Sequence, residues 1–336
     1  MKRSDEEEIV LAGDIGGTKA NLGVFQRGQD RPQPLVLESY SSAAASSLNE
    51  LIADFLVKHS FPVSSACFGI AGPVIRGRVK TTNLPWEVTD REVQEFFNFA
   101  SVILINDLTA TGYSIPLLRE EELFPVNTIP ADTEGNVGLI SPGTGLGMAL
   151  LIRRDGNLIP LPSEGGHVDF APTNEKQVGL WRSLKGSMDH VSVERVASGP
   201  GLFTIYKWLS GLNGREEPPW LTERFRLMDP PRAVSTAATV EKEPCCVESL
   251  EMFISIIGAA AGNLALTGMT TGGIFLGGGI LPEIMPQLDD DAFMKAFTDK
   301  GRFRGILSGI PVNVILNDKA ALLGAAQRAL EARCVE

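Results

Sequence analysis

Residues 9–25 read Ile9-Val-Leu-Ala-Gly-Asp-Ile-Gly-Gly-Thr-Lys-Ala-Asn-Leu-Gly-Val-Phe25, and residues 137–152 repeat the design as Val137-Gly-Leu-Ile-Ser-Pro-Gly-Thr-Gly-Leu-Gly-Met-Ala-Leu-Leu-Ile152. Each stretch is typical of an apolar strand, a turn of glycines with a threonine, and a second strand. Glycine lets the backbone approach an anion closely and point its N–H groups at it. Two such hairpins therefore predict a clamp that closes on both sides of a polyphosphate.

Strand and helix patterns continue on either side of these hairpins. Strands are predicted at 35–40, 65–70, 102–105, 273–276 and 312–316, and helices at 48–59, 89–99, 250–268, 319–333 and from about 109 to Pro116. The β-β-β-α-β-α-β-α order restarts at Val137, which predicts two similar α/β lobes with a cleft between them. We assign residues 9–125 to a smaller lobe, completed by the helix at 319–333, and residues 135–317 to a larger lobe. A polar, proline-rich insert occupies 213–244.

Composition excludes several classes of protein. The 336 residues are 43% hydrophobic and 21% charged, which is enough apolar material for two lobes. The net charge is −11, with few Trp and Tyr residues, so a nucleic-acid surface is not expected. In so acidic a chain, a bound anion must be held by backbone N–H groups, a helix N-terminus, a metal or a single lysine.

Cysteine usage and hydropathy predict a cytoplasmic location with no contact to a membrane. The cysteines are Cys67, Cys245, Cys246 and Cys334, and no C-x-x-C occurs, which favours a reducing compartment. The acidic N-terminus lacks the apolar core of a signal peptide. The most apolar stretch, 252–266, is shorter than the roughly 20 residues that span a bilayer, so it predicts a buried helix.

The two glycine turns are candidate phosphate loops. In the first, the Asp14 carboxylate is suited to a hydrated Mg²⁺, while Gly16, Gly17 and the Thr18 hydroxyl can meet phosphate oxygens. In the second, the G-x-G-x-G string from Gly143 is followed by a strand-like run, whereas a dinucleotide fingerprint requires a helix there. A simple tight turn is the alternative for both.

Asp107 is the candidate general base. It follows a predicted strand, where ligands of open α/β sheets bind, and a carboxylate there can accept the proton of an attacking hydroxyl. Asp107 could instead cap the helix predicted from about Thr109.

Polar residues elsewhere are weaker candidates. In Ser163-Glu-Gly-Gly-His167, Glu164 and His167 suit vicinal sugar hydroxyls, with a metal site or a solvated loop as alternatives. By pattern alone, Glu194 is typical of a surface residue and Asn83 of a loop. Residues 277–279, three glycines after a strand, leave room for a flat ring or form a flexible connection.

Seven motifs occur in an order that closely resembles the bacterial-type ATP-dependent glucokinases, within the sugar kinase/actin/heat-shock chaperone ATPase superfamily. The resemblance runs from about Ile9 to Ala329. The motifs are Leu11-Ala-Gly-Asp-Ile-Gly-Gly-Thr18, Thr82-Asn-Leu-Pro-Trp86, Leu104-Ile-Asn-Asp-Leu-Thr-Ala110, Pro142-Gly-Thr-Gly-Leu-Gly147, Ser163-Glu-Gly-Gly-His167, Val193-Glu-Arg-Val-Ala-Ser-Gly-Pro-Gly201 and Gly272-Gly-Ile-Phe-Leu-Gly-Gly-Gly-Ile280.

The resemblance implies a two-lobed, actin-like (ribonuclease H-like) ATPase fold with a central cleft. It also implies transfer of the ATP γ-phosphoryl group to the 6-hydroxyl of D-glucose with Mg²⁺, by a homodimer. Asp107 matches the catalytic base. The matches to the family's glucose contacts are Asn106, Glu164, His167, Glu194 and, more weakly, Asn83. The matches to its nucleotide contacts are Gly13, Asp14, Ile15, Gly16, Gly17, Thr18, Thr144, Gly145, Gly277, Gly278 and Gly279, with Asp14 also holding Mg²⁺ through water.

Some features depart from the family pattern. Lys19 stands where the family commonly has Asn, and the Cys-rich zinc motif of the related ROK sugar kinases is absent after His167. Three alternatives remain: a kinase for another hexose or phosphate donor, a non-catalytic sugar-sensing regulator, and a chaperone-type ATPase. The last two would need a DNA-binding or a peptide-binding module, for which the pattern leaves no length.

Overall fold

The computed structural model describes residues 8–81, 84–214, 216–288 and 291–332. Its strands, in chain order, are β1 (Ile9–Ile15), β2 (Lys19–Gln26), β3 (Gln33–Ser41), β4 (Ser65–Ile70), β5 (Val74–Ile75), β6 (Arg78–Lys80), β7 (Glu87–Thr89), β8 (Ser101–Asn106), β9 (Leu123–Pro125), β10 (Val137–Pro142), β11 (Leu146–Arg154), β12 (Asn157–Leu161), β13 (Gly273–Leu276) and β14 (Val312–Ile315). Its α-helices are α1 (Leu48–Lys58), α2 (Asp90–Phe97), α3 (Asp107–Ser114), α4 (Glu175–Lys185), α5 (Gly199–Asn213), α6 (Pro219–Leu227), α7 (Pro230–Thr236), α8 (Pro244–Gly268), α9 (Met285–Leu288), α10 (Ala292–Thr298), α11 (Arg304–Leu307) and α12 (Ala320–Ala332).

Contacts divide the chain into two compact units. Unit 1 runs to Glu120 and takes in Leu158–Pro162 and the chain from Asn317 onward, and unit 2 holds Glu121–Asn157 and Ser163–Leu316. Residues 121–125, which the sequence pattern assigns to the first lobe, lie in unit 2, because β9 pairs with β14 there. That pairing joins segments almost 190 residues apart, so no local pattern could reveal it.

Unit 1 is built on a sheet of order β3-β2-β1-β4-β8. The β1–β2 hairpin is antiparallel, whereas β1, β4 and β8 run parallel. Alternate residues of β1 bury against opposite faces, Leu11 in the core that includes α1 and Val10 in the core that includes α12. A sheet covered on both faces needs apolar residues at successive positions, which is why β1 and β4 read as continuous apolar runs.

Helices α3 and α12 pack backbone against backbone at Gly324. A β-carbon built on Gly324 would lie 1.8 Å from the carbonyl oxygen of Ala110 and 2.8 Å from the Ser114 nitrogen. Since α3 starts at Asp107, this close approach fixes the helix that carries the candidate base.

We expect Gly324→Ala to lower the free energy of unfolding by about 1–3 kcal/mol, because the methyl group forces α12 away from α3. Gly211→Ala is the matched control, since Gly211 lies in α5 with no atom within 4 Å of an added β-carbon. Alanine should stabilise that helix by up to about 1 kcal/mol. Urea unfolding of both variants measures the two changes, and equal effects would contradict the packing argument.

Unit 2 repeats the topology of unit 1. The sheet that holds the unit 2 strands β11, β10, β13, β14 and β9 has the order β12-β11-β10-β13-β14-β9, although contacts assign most of its edge strand β12 to unit 1. It again has an antiparallel hairpin (β10–β11) beside parallel strands. Strands β3-β2-β1-β4-β8 thus correspond in order to β12-β11-β10-β13-β14. The predicted repeat of the α/β pattern is confirmed.

The predicted apolar helix is confirmed as a core element. Helix α8 is long and apolar enough to cross a membrane, but 72% of its apolar window is buried inside the protein. It packs against α5 and α10 and carries Phe253 and Ile257, which are fully buried. Its burial within unit 2 accounts for its composition.

Much of the polar, proline-rich insert at 213–244 is helical. It contains α6, α7 and a π-helical turn (Ala237–Glu241), and Leu221 and Val234 are buried in the unit 2 core. Proline occupies the first turn of each α-helix, where the missing N–H removes no helical bond. These prolines begin helices, although their density resembles that of a loop.

Candidate functional site

Three polar side chains lie in register across unit 1. Asp14 on β1 pairs with Asn21 on β2, which in turn pairs with Ser39 on β3. Ser39 Oγ donates to Asn21 Oδ1 at 2.7 Å, and Asn21 Nδ2 donates to Asp14 Oδ2 at 3.2 Å. Asn21 was not predicted, although the pairing of a short hairpin could have identified it as the partner of Asp14.

The environment of Asp14 favours the protonated acid. Burial raises the pKa of Asp14 to about 6, and the negative charge of Asp107 also raises it, while the Asn21 hydrogen bond and the charges of Lys19 and Lys319 act in the opposite direction. Lys319 was not predicted, because no local pattern connects residues 305 positions apart. The interaction between Asp14 and Asp107 places two candidate residues at one edge of the unit 1 sheet.

The turn after Asp14 is held by its own backbone. The Gly16 N–H donates to the Lys19 carbonyl at 3.0 Å, so it closes the turn and is not available to a phosphate in this arrangement. Ser42 Oγ donates to the Gly16 carbonyl at 2.7 Å, which connects the turn to the segment that follows β3. Thr18 is exposed and Gly17 is half-buried, so these two residues offer polar groups to a ligand.

Gly13 and Ile15 are strand residues within β1. The Ile15 side chain is 1% exposed, and a β-carbon on Gly13 would lie 2.5 Å from the Phe68 ring. Both positions serve packing of the sheet, so only their backbone could reach a ligand.

The junction of β8 and α3 separates the roles of Asn106 and Asp107. Asn106 is the N-cap, and its Oδ1 accepts hydrogen bonds from the N–H groups of Leu108 (2.9 Å) and Thr109 (3.3 Å). The helix therefore begins at Asp107, earlier than predicted. Asp107 Oδ1 also accepts from the Leu108 N–H at 2.8 Å. Burial raises the pKa of Asp107, while hydrogen bonds from the backbone and from the Asn106 side chain act in the opposite direction.

Unit 2 brings together three of the predicted sugar residues, here called the Glu164 cluster: Glu164, His167 and Glu194. His167 Nε2 lies 3.9 Å from Glu164 Oε2, and His167 Nδ1 lies 3.9 Å from Glu194 Oε1. The side chains of Glu164 and His167 are each 60% exposed, and that of Glu194 is 27% exposed. Two carboxylates and an imidazole thus face solvent together, a set able to accept and donate hydrogen bonds to hydroxyl groups.

The two glycine segments of unit 2 lie at one edge of its sheet. Strands β10 and β13 are parallel neighbours, and they lead into residues 143–147 and 277–279 respectively. The Gly277 N–H donates to the Ile140 carbonyl at 2.9 Å, and Thr144 is exposed beside the turn. Thr144, Gly145 and the three glycines therefore follow neighbouring strands at the same edge of this sheet.

Two further predictions are a metal site, as the alternative for the segment at 163–167, and Asn83 as a glucose contact. In the described ranges, no group of three or more His, Cys, Asp or Glu side chains is arranged to hold a metal ion. Asn83 lies outside the described residues.

Comparison with known proteins identifies the family. The family model for glucokinase matches residues 11–332. The chain belongs to the glucokinase family. The glucokinase of Nostoc punctiforme is 38% identical over 333 residues, covering 95% of this chain and 98% of that protein, and the glucokinase of Cronobacter sakazakii is 35% identical over 318 residues, covering 95% of this chain and 96% of that protein.

Solved glucokinase structures align with the structure of this chain. A crystal structure of glucokinase from an Antarctic psychrotroph aligns with a TM-score of 0.84 at 31% identity, covering 96% of this chain and 99% of that one. A ROK family glucokinase from Streptomyces griseus aligns less well, with a TM-score of 0.67 at 21% identity over 96% of this chain and 99% of that one, a likeness of fold alone. The predicted actin-like α/β class and the bacterial-type, non-ROK family are confirmed. Glucokinase family membership gives the chain ATP-dependent phosphorylation of glucose as its activity.

Proposed function

We propose that Asp107 is the general base that deprotonates the 6-hydroxyl of D-glucose as it attacks the γ-phosphorus of ATP. The observation that carries this proposal is the division of tasks at the start of α3. Asn106 caps the helix, so the Asp107 carboxylate is not required as the cap and can serve as a proton acceptor. Its raised pKa brings it nearer to the working pH, where a general base is most effective.

Positioning and neutralisation of charge contribute most of the rate in phosphoryl transfer, so a single carboxylate base is chemically sufficient. Within unit 1, Asp107 lies close enough to Asp14 for its charge to raise the pKa of Asp14. The proposed base is therefore near the proposed Mg²⁺ residue.

We assign Mg²⁺ to Asp14, through water. A half-buried carboxylate with a raised pKa and a negative neighbour fits a cation, because the cation would relieve both the burial and the repulsion. Mg²⁺ prefers few carboxylates and keeps several waters, as a single Asp would allow. When bound, the ion neutralises charge on the ATP phosphates.

The remaining residues divide between the two substrates. For ATP, we propose the exposed hydroxyls of Thr18 and Thr144. The backbone of Gly17, of Gly145 and of residues 277–279 completes the set. For glucose, we propose the Glu164 cluster and, from the family resemblance, Asn106 and Asn83. The grouping of Glu164, His167 and Glu194 within 3.9 Å contacts supports the sugar assignment.

Glu164→Gln tests that assignment. We expect the Michaelis constant for glucose to rise about tenfold or more, since a hydrogen bond to a charged acceptor is worth roughly 1.5–3 kcal/mol. The constant for ATP should change by less than about twofold. Glu134→Gln, at an exposed position of unit 2, is the control. A larger change for ATP than for glucose would move Glu164 out of the sugar set.

The choice of substrates is tested by ADP release from a panel of hexoses and phosphate donors. Glucose with Mg·ATP should give the highest kcat/KM. Faster turnover with another hexose or donor would support that alternative, and glucose binding without ADP release would support a non-catalytic sensor.

We further propose a homodimer in the cytoplasm. Cys67, Cys245 and Cys246 are buried thiols that form no disulfide, which is compatible with a reducing compartment. Sedimentation velocity at micromolar concentration would contradict the dimer if it gave only the monomer mass.

A further inference from the structure

We propose that the backbone N–H of Leu146 is a positioning group for Glu194, and that it couples nucleotide binding to glucose binding within unit 2. Occupation of the glycine turn at 143–147 then raises the affinity of the Glu164 cluster for glucose, and glucose raises the affinity for nucleotide. This inference rests on the proposed function, which assigns the turn to ATP and Glu194 to glucose. The group of residues involved, called here the Leu146 junction, consists of Gly145, Leu146, Gly166 and Glu194.

The two oxygens of Glu194 have different partners. Oε2 accepts a hydrogen bond from the Leu146 N–H at 2.9 Å, while Oε1 lies 3.9 Å from His167 Nδ1. Leu146 is 5% exposed, so the bond to its N–H is shielded from water. Hydrogen bonds to an ionised acceptor are roughly twice as strong as neutral ones. One carboxylate thus connects the glycine turn on one side with the sugar cluster on the other.

The junction has no space for adjustment. A β-carbon on Gly145 would lie 2.6 Å from Glu194 Oε2. In the next peptide of the chain, a β-carbon on Gly166 would lie 2.0 Å from the Leu146 carbonyl oxygen. Gly166 belongs to the short 3-10 helix that also carries His167. A shift of the turn therefore moves both loops of the Glu164 cluster.

Further hydrogen bonds join the same segments. The Gly199 N–H donates to the Gly143 carbonyl at 2.8 Å, which connects the start of α5 to the turn. Ser198 Oγ donates to the Glu194 carbonyl at 2.7 Å and connects the same helix start to the Glu194 segment. The turn and Glu194 are thus linked directly and through α5, so an ordered turn favours an ordered Glu194.

Linkage makes this coupling reciprocal and measurable. If ADP changes the glucose affinity by some factor, glucose must change the ADP affinity by the same factor, and coupling between sites is typically 5–150-fold. We expect the wild-type chain to bind glucose at least about fivefold more tightly with saturating Mg·ADP than without nucleotide. Isothermal titration calorimetry with glucose, with and without Mg·ADP, measures this factor without any turnover.

Gly145→Ala tests the junction. The added methyl should displace Glu194, so the glucose Kd without nucleotide should rise about tenfold and the coupling factor should fall toward one. Gly305→Ala is the control, since Gly305 lies in unit 2 outside the glycine turn, with no atom within 4 Å of an added β-carbon. It should keep the wild-type glucose Kd in the absence of nucleotide. Thermal unfolding first establishes that both variants are folded.

Glu194→Asp covers the case in which Gly145→Ala does not fold. Aspartate keeps the charge but is one methylene too short to reach the Leu146 N–H, so the coupling factor should again fall toward one. A wild-type coupling factor in whichever of these two variants folds would overturn the inference, as would a factor of one in the wild-type chain.

Glu194→Gln separates failure of the inference from failure of the proposed function. If this variant binds glucose like the wild type, Glu194 is not a sugar contact and the underlying assignment is wrong. If it weakens glucose binding while Gly145→Ala changes neither the glucose Kd nor the coupling factor, the assignment stands and the junction is overturned.

Discussion

Asp107→Asn is expected to lower kcat for glucose phosphorylation by about 10²–10⁴-fold, the usual contribution of a general base. Asparagine has nearly the shape of aspartate, and its Oδ1 can still accept the Leu108 N–H that Asp107 accepts now. The start of α3 should therefore stay folded, because Asn106 remains the N-cap. The variant removes proton acceptance and little else.

Substrate binding should survive this change. The negative charge of Asp107 raises the pKa of Asp14, so its removal lets Asp14 ionise more readily. We expect the Michaelis constant for Mg·ATP to stay the same or fall, and that for glucose to change by less than a few fold. Steady-state kinetics with a coupled ADP assay measures all three constants.

Asp155→Asn is the control for the amide substitution itself. The Asp155 side chain is 90% exposed in the turn between β11 and β12, at the opposite end of β11 from the glycine turn, so its substitution should leave kcat unchanged. Retention of more than a tenth of wild-type kcat by Asp107→Asn would rule out Asp107 as the base.

Local sequence patterns predict the sheets of this protein well. The apolar run at 65–70 coincides with β4 and that at 273–276 with β13, because a strand buried on both faces must be apolar throughout. Thr89, the first residue of the helix predicted at 89–99, is the N-cap of α2, and its hydroxyl accepts the Glu92 N–H at 3.1 Å. In each case the residues that decide the structure are within a few positions of each other.

Structural features that depend on residues distant in the sequence were not predicted. β9 is only three residues long and is defined by its pairing with β14. Lys319 acts on Asp14 from the other end of the chain, and the Leu146–Glu194 bond spans 48 positions between two loops. The candidate residues themselves were found because the family motifs are short and contiguous, but their hydrogen-bond partners required the fold.

Asp14→Asn is expected to abolish most of the activity and at the same time to stabilise the free protein. Loss of the proposed Mg²⁺ residue should lower kcat/KM for Mg·ATP by at least about 10²-fold, comparable to the loss of one group that stabilises charge in a transition state. Asparagine can still accept from Asn21 Nδ2, so the Asp14–Asn21–Ser39 alignment can be retained.

The stability gain follows from the pKa of Asp14, which burial raises from 3.8 to about 6. The folded state binds this proton more tightly than the unfolded state does, so stability falls as pH rises through the window from about 4 to 6. Above pH 6 the folded state bears the full cost of ionising the Asp14 carboxyl. Each tenfold change in proton affinity corresponds to about 1.4 kcal/mol, so this cost is up to about 3 kcal/mol of folding free energy. An uncharged asparagine should remove that penalty.

Urea unfolding of the wild type and Asp14→Asn at pH 4 and pH 7.5, without ligands, measures the difference. We expect Asp14→Asn to be more stable at pH 7.5 by about 1–3 kcal/mol and the two proteins to converge toward pH 4, where the Asp14 carboxyl is largely protonated. Mg·ADP should reverse the order at pH 7.5, because only the wild type has the carboxylate that a cation would neutralise. A variant that is less stable than the wild type at pH 7.5 would show that the charge of Asp14 does not destabilise the free protein. The main physical reason for assigning the cation to this residue would then be lost.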